Sequence, residues 1–321
     1  MKLTIGTAAA VVLVAAVPTT AQRRGRPAHP TIVKTESVAL DYQGRTRRYL
    51  LHVPDSPGGA LVLAFHGGGE TPENQQQISS FDALSDRSRF IVAYPEGIGK
   101  SWADGRGTTN ADRDGVDDVG FARAVVMDIA KTQAIDRTRI YATGPSNGGI
   151  FVNRLACDAP DLFVAVAPVI GTIASKLAPS CHPPVPVAVV GVQGVADPVV
   201  PFKGGEVGGT LRGASAGGAV ESSRATQELW RSIDGCDPTP ASTPMHAGVQ
   251  DGTSVTRRVY SGCKADVVWY EIEGGGHRWP PHKTQGVAEN LARRTLGVSS
   301  QNINASETIW AFFASHPRSR R

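Results

Sequence analysis

Unbroken apolar runs of strand length recur along the chain at 60–65, 90–94, 139–143, 162–168, 186–192 and 267–272. Between and after them lie longer segments, at 119–134, 148–157, 220–233 and 305–315, in which apolar residues return with helical spacing. A strand with no polar face is one covered on both sides, and such strands alternating with helices form a parallel sheet between helical layers. The pattern predicts an α/β protein with a mostly parallel central sheet and helices on both faces. A different rhythm opens the region. From 35 to 54, polar and apolar residues alternate on either side of Gln43-Gly44, which marks a β-hairpin. No internal repeat interrupts the series, and the glycine-rich stretch from Gly204 to Gly218 reads as a surface loop.

The ends of the chain follow other rules. Lys2 precedes an apolar stretch over 3–17, and Thr19-Thr20-Ala21 supplies the small residues of a cleavage site. At roughly 15 residues that stretch falls short of the about 20 needed to cross a bilayer. The expected organisation is a signal peptide at 1–21, a flexible leader at 22–34, one α/β domain at 35–316 and a basic tail at 317–321. The mature protein is then exported, extracellular or periplasmic, with no membrane attachment after cleavage. A formal net charge of +4 invites a nucleic-acid reading, but the charge is unevenly placed. Of 33 Lys and Arg, Lys2, Arg23, Arg24, Arg26, Arg318, Arg320 and Arg321 sit at the ends, which leaves 26 against 29 Asp and Glu. The body is mildly acidic, and no nucleic-acid partner is expected.

Cys157, Cys181, Cys236 and Cys263 are an even number, as suits an oxidising compartment. Three pairings are open; joining nearest neighbours would close two loops of about 25 residues, each worth ~3–4 kcal/mol by chain entropy. Zinc finds no Cys-x-x-Cys or His-x-x-x-His spacing. The run Asp112 to Asp118 resembles part of a calcium loop but lacks the closing Glu, and Asp117 or Asp118 is placed to cap the helix from Val119. No metal and no cofactor is expected.

Two segments fit Gly-x-Ser-x-Gly, around Ser146 and around Ser215. A nucleophile elbow needs a strand running in and a helix running out. Ser146 has both, whereas Ser215 lies inside the glycine-rich loop. Upstream, His66-Gly67-Gly68-Gly69 follows an apolar run directly, so its backbone N–H groups can approach a substrate carbonyl; Gly68 and Asn147 are the expected oxyanion donors. His66 itself reads as a structural hydrogen bonder. In the α/β-hydrolase layout an acid and then a histidine follow the serine, each after a strand. Asp197 follows the run 186–192, and among the later histidines His277 follows 267–272 through Gly274-Gly275-Gly276. His246 lies in a polar loop. Trp102 and Trp279 are expected to line the substrate cleft, and Trp230, Trp269 and Trp310 to be core.

The motifs His66-Gly67-Gly68-Gly69, Tyr94-Pro95-Glu96-Gly97, Val116-Asp117-Asp118-Val119-Gly120-Phe121 and Gly144-Pro145-Ser146-Asn147-Gly148-Gly149, with Ala196-Asp197-Pro198, Gly276-His277-Arg278-Trp279-Pro280 and Ala305-Ser306-Glu307, span about 35–315. Together they resemble the extracellular polyhydroxybutyrate depolymerase-like esterases, which are related to feruloyl and acetylxylan esterases. Pro145 stands where that family has a larger apolar residue. The resemblance implies a secreted serine carboxylesterase acting on polymeric or oligomeric esters without a cofactor, with Ser146, Asp197 and His277 as nucleophile, acid and base. Feruloyl or acetylxylan esterase activity on plant polysaccharide is the alternative within the class. An inactive polysaccharide-binding protein is the alternative outside it, and a serine peptidase is a third reading.

Overall fold

Alternate residues of each apolar run face opposite sides of one sheet, and both sides are covered. The computed structural model describes residues 35–208, 217–245, 248–282 and 284–318. The predicted signal peptide and leader, Ser215, His246, Arg320 and Arg321 lie outside the described residues. In chain order the elements begin with β1 (Glu36–Tyr42), β2 (Arg45–His52), β3 (Leu61–Ala64), α1 (Pro72–Ser79), α2 (Phe81–Ser88) and β4 (Ile91–Pro95). There follow α3 (Asn110–Arg113), α4 (Asp118–Ile129), β5 (Ile140–Pro145), α5 (Asn147–Asp158), β6 (Ala165–Val169) and β7 (Ala188–Gly194). The last are β8 (Gly205–Glu206), β9 (Ala219–Val220), α6 (Ser223–Ile233), β10 (Ala241–Met245), β11 (Ser254–Tyr260), β12 (Val267–Glu273), α7 (Gly286–Leu296) and α8 (Ala305–Ser315).

The main sheet runs β1-β2-β4-β3-β5-β6-β7-β12-β11-β10. Neighbours from β4 to β12 in that order are parallel, and an antiparallel pair closes each edge. Leu61, Leu63 and Phe65 point to one face, where Phe121 and Val125 of α4, Phe151 and Leu155 of α5, and Trp230 of α6 cover them. Ala60, Val62 and Ala64 point to the other, under Phe81 and Leu84 of α2 and Ile309 and Phe313 of α8. This is the α/β-hydrolase architecture. Each large side chain so removed from water contributes about 1.5–3 kcal/mol, which is why the central strands carry no polar face.

Departures from the sequence expectation have local causes. Helix α6 starts at Ser223 rather than at 220, because the Ser222 hydroxyl accepts from Ala225 N–H and caps it, while Val220 pairs in β9. Helix α4 ends at Ile129, five residues before the apolar pattern does. The polar helices α1, α2 and α7 and the outer strands β10 and β11 are not announced by apolar runs. Arg318, expected in a solvated tail, instead donates from its N–H to the Thr138 carbonyl and from its guanidinium to the Asp161 and Phe163 carbonyls. The cysteines pair as nearest neighbours, Cys157 with Cys181 and Cys236 with Cys263.

Candidate active site

Strands β3, β4, β5, β7 and β12 are parallel, so the loops that leave their C-terminal ends gather on one edge of the sheet, the edge where open α/β sheets bind ligands. Those loops carry the glycine run, residues 96–109, Ser146, Asp197 and His277. Ser146 turns the chain from β5 into α5 with φ 55° and ψ −125°, a backbone region that ordinary side chains avoid. Its neighbours on both sides are buried, whereas Ser146 keeps partial exposure. The turn is tight enough to demand glycine twice. A Cβ on Gly144 would lie 2.5 Å from the Phe65 carbonyl oxygen, and one on Gly148 would lie 2.6 Å from the carbonyl oxygens of both Phe65 and His66. Pro145 fits as the last residue of β5, opposite Val169.

That crowding presses the end of β3 against the elbow. A Cβ on Gly67 would be 3.7 Å from Ser146 Cβ, and one on Gly68 would be 3.4 Å from Asn147 Cβ. The loop is held by Gly69 N–H to the Lys100 carbonyl at 2.8 Å and Glu70 N–H to the Gly67 carbonyl at 3.1 Å. The N–H of Gly68 meets no acceptor among the described residues, nor does that of Asn147, at the first turn of α5. His66 is buried, and its Nε2 accepts from Gly97 N–H at 2.9 Å, so Nδ1 carries the proton donated to the Gly67 carbonyl at 2.8 Å. Burial pushes this imidazole below its ordinary value and favours the neutral form.

Asp197 is buried in the loop after β7. Its Oδ1 accepts from the N–H groups of Val199 at 2.8 Å and Val200 at 2.9 Å, and its Oδ2 lies 2.8 Å from His277 Nδ1. Ala196 N–H donates to the Gly275 carbonyl, which ties the acid loop to the histidine loop. The structure thus brings Asp197 and His277 together and sets Ser146 on the same edge. No hydrogen bond joins Ser146 Oγ to His277 among the described residues.

The two tryptophans expected in the cleft are not there. Trp102 has no exposed surface; it stacks on Phe151, meets Phe65 edge-on, and donates from Nε1 to the His66 carbonyl. Trp279 is 3% exposed, packs edge-on against Phe81, and donates to Ser306 Oγ. Each anchors a site loop from behind, its indole packed against aromatic rings and its N–H satisfied by an acceptor within the chain. Trp279 does so beside Arg278, whose guanidinium grips Glu289 of α7 with both nitrogens and holds that carboxyl down to about 2.

Several polar anchors went unseen in the sequence. Asp118 accepts from Ala103 N–H at 2.8 Å and pairs with buried Arg47 at 2.8 Å, and so secures the loop around Trp102. Asp117, one of the two residues expected to cap α4, does cap it and also accepts from Tyr42 Oη, which the sequence did not announce. Asp112 closes a capping box with Thr109. Asp112, Asp117 and Asp118 of the calcium-like run are therefore engaged within the chain. No group of ligating side chains able to hold a metal occurs among the described residues. Asp104 and Arg106 form a buried pair beside Asn147. Only their alternation with glycine over 104–107 hinted at a special loop.

A sequence profile of the prolyl oligopeptidase family matches residues 89–180, the stretch holding the elbow. The chain is similar to a putative esterase, NocK, of Nocardia uniformis subsp. tsuyamanensis, 33% identical over 279 residues, which cover 84% of this chain and 79% of that one. It is also similar to a probable feruloyl esterase C of Aspergillus niger, 27% identical over 282 residues and 85% of each chain. Among solved structures it resembles a thermostable esterase, with TM-score 0.54 and 16% identity over 88% of this chain and 63% of that one. It also resembles an acetyl xylan esterase from Aspergillus awamori, with TM-score 0.50 and 17% identity over 74% and 90%. At these identities the structural likeness is one of fold.

Proposed function

The chain belongs to the esterases of the α/β-hydrolase fold, and from that membership we propose an exported serine carboxylesterase that forms an acyl-enzyme on Ser146 and cleaves polymeric or oligomeric esters. The observation that carries the reading is the 2.8 Å bond from Asp197 Oδ2 to His277 Nδ1 on the same sheet edge as the strained serine. Asp197, pinned by two backbone N–H groups, holds the Nδ1–H tautomer and leaves Nε2 free to take the Ser146 proton. As Oγ attacks the ester carbonyl, the N–H groups of Asn147 and Gly68 receive the oxyanion. Collapse of the tetrahedral intermediate expels the alcohol, protonated by His277, and water then releases the acid by the same route.

Export is supported by the two disulfides and by the sequence of residues 1–21. For the substrate, feruloyl or acetyl esters of plant polysaccharide stand ahead of polyhydroxybutyrate, because relatives named as feruloyl esterases align along more than four fifths of the chain.

The Ser146→Ala variant is expected to lose about 10³-fold or more of its turnover on a nitrophenyl ester and all labelling by a fluorophosphonate. Near-normal turnover in that variant would remove the proposal, and so would binding of polysaccharide by a wild-type chain inert to the probe. A panel of methyl ferulate, acetylated xylan and hydroxybutyrate oligomers checks the substrate ordering, which a preference for the oligomers would reverse.

A further inference from the structure

The carboxamide of Asn147 is held on every side. Its Oδ1 accepts from Trp102 N–H at 2.8 Å, and its Nδ2 donates to the Trp102 carbonyl at 3.2 Å and to Asp104 Oδ2 at 2.6 Å. Asp104 has no exposed surface. Arg106 meets it with Nε at 3.2 and 2.9 Å from the two oxygens, with Nη2 at 2.8 Å from Oδ2, and with its backbone N–H at 3.1 Å from Oδ1. Arg106 is itself only 6% exposed. Removing both charges from water is costly, and an apolar pair would fill the space at no such cost.

The location gives the pair a task. Ser146 has a backbone conformation that persists only where its surroundings over-determine it. The peptide joining Ser146 to Asn147 carries the N–H proposed to receive the oxyanion. One side of that peptide is set by Ile150 N–H, which donates to the Ser146 carbonyl at 2.8 Å. The other side is set by the Asn147 side chain. From the far end of the pair, Arg106 Nη1 and Thr108 Oγ1 donate to the Gly217 carbonyl at 2.5 and 3.0 Å. Gly217 adjoins the stem in which Val207 N–H bonds to Gly218, and Gly208 N–H from that stem bonds to Val199 in the Asp197 loop.

We infer that Asp104, backed by Arg106, is a positioning residue for the oxyanion hole: through the Asn147 carboxamide it fixes the Ser146–Asn147 peptide so that its N–H meets the developing negative charge. The inference rests on Ser146 being the nucleophile. Asp104 touches no substrate atom; its charge acts on Asn147, and Arg106 links that contact to the stem that also steadies the Asp197 loop.

The experiment compares wild type, Asp104→Asn, Asn147→Ala and the double variant, with active sites counted by fluorophosphonate titration and turnover of a nitrophenyl ester expressed per titrated site. Asp104→Asn is expected to lower kcat per site about 10- to 100-fold while KM stays within about threefold, since the loss falls on the transition state. Because both residues act through one contact, the double variant is expected to match Asn147→Ala within about twofold. A purely structural role would lower the number of titratable sites and leave kcat per site unchanged, and that result overturns the inference, as does a double variant whose losses multiply. Should Asp104→Asn fail to fold, Arg106→Lys keeps the charge but loses the forked contact, and is expected to lower kcat per site about threefold to tenfold; an unchanged value overturns the inference equally. Ser146→Ala run alongside separates the two readings: retained turnover there sinks both, whereas a serine-dependent enzyme indifferent to Asp104→Asn sinks only this one.

Discussion

Asp234 ends α6 fully buried, and neither of its carboxylate oxygens is hydrogen-bonded among the described residues. Burial pushes its carboxyl up to about 7, against a smaller opposing pull from Lys264. The folded state therefore holds this proton more tightly than the unfolded chain does. The group contributes stability that is present below pH ~4 and is lost as pH rises through about 7. Asp234→Asn mimics the protonated acid, so it is expected to be the more stable protein at pH 8, by roughly 2 kcal/mol, and to lose that advantage at pH 4. Denaturant unfolding at the two pH values checks this; equal differences at both would contradict it. Residues like Asp234 mark the limit of sequence reading at this scale. Asp197 and His277 could be picked out because each follows a strand, a local fact. That Trp102 and Trp279 are buried, or that Asp104 faces Arg106 and Asn147, depends on partners brought from far along the chain.

At the scale of elements, the elbow is a strand and a helix joined with no slack. The carbonyl oxygens of Phe65 and His66 occupy the space that a side chain at residue 148 would need. Gly148→Ala is expected to lower stability by about 1–3 kcal/mol through forced backbone shifts, and to slow fluorophosphonate labelling of the remaining folded protein as the glycine run moves off Ser146. A variant that melts and labels like wild type would show that the turn has room to spare. Central strands and the helices that pack on them were legible because burial on both faces imposes apolar runs. The polar helices α1 and α2 and the outer strands β10 and β11 were not, because an element with a wet face carries fewer apolar residues and so a weaker pattern. Helix α7 has no buried residue, and two exposed apolar side chains, Val287 and Leu291, lie one turn apart on it. It is tied down by the Arg278–Glu289 pair and by His277 N–H, which donates to the Leu296 carbonyl at 2.6 Å, rather than by a hydrophobic stripe.

For the molecule as a whole, the two disulfides close loops with sequence separations of 24 and 27. Cys157–Cys181 joins the end of α5 to the segment after β6, and Cys236–Cys263 joins the segment after α6 to that between β11 and β12. Replacing both Cys236 and Cys263 by Ser is expected to lower unfolding free energy by about 2–4 kcal/mol, read from denaturant midpoints at unchanged slope. No change on replacement would argue that the loop is already closed by its own packing. The sequence by itself determined the architecture and the order of the candidate site, because strand length, helical period and glycine clusters are written locally. Tertiary structure alone decided which cysteines pair, which tryptophans leave the surface, and which buried charges steady the turn at Ser146. Those outcomes depend on desolvation and on partners distant in sequence, and neither leaves a periodic trace in the chain.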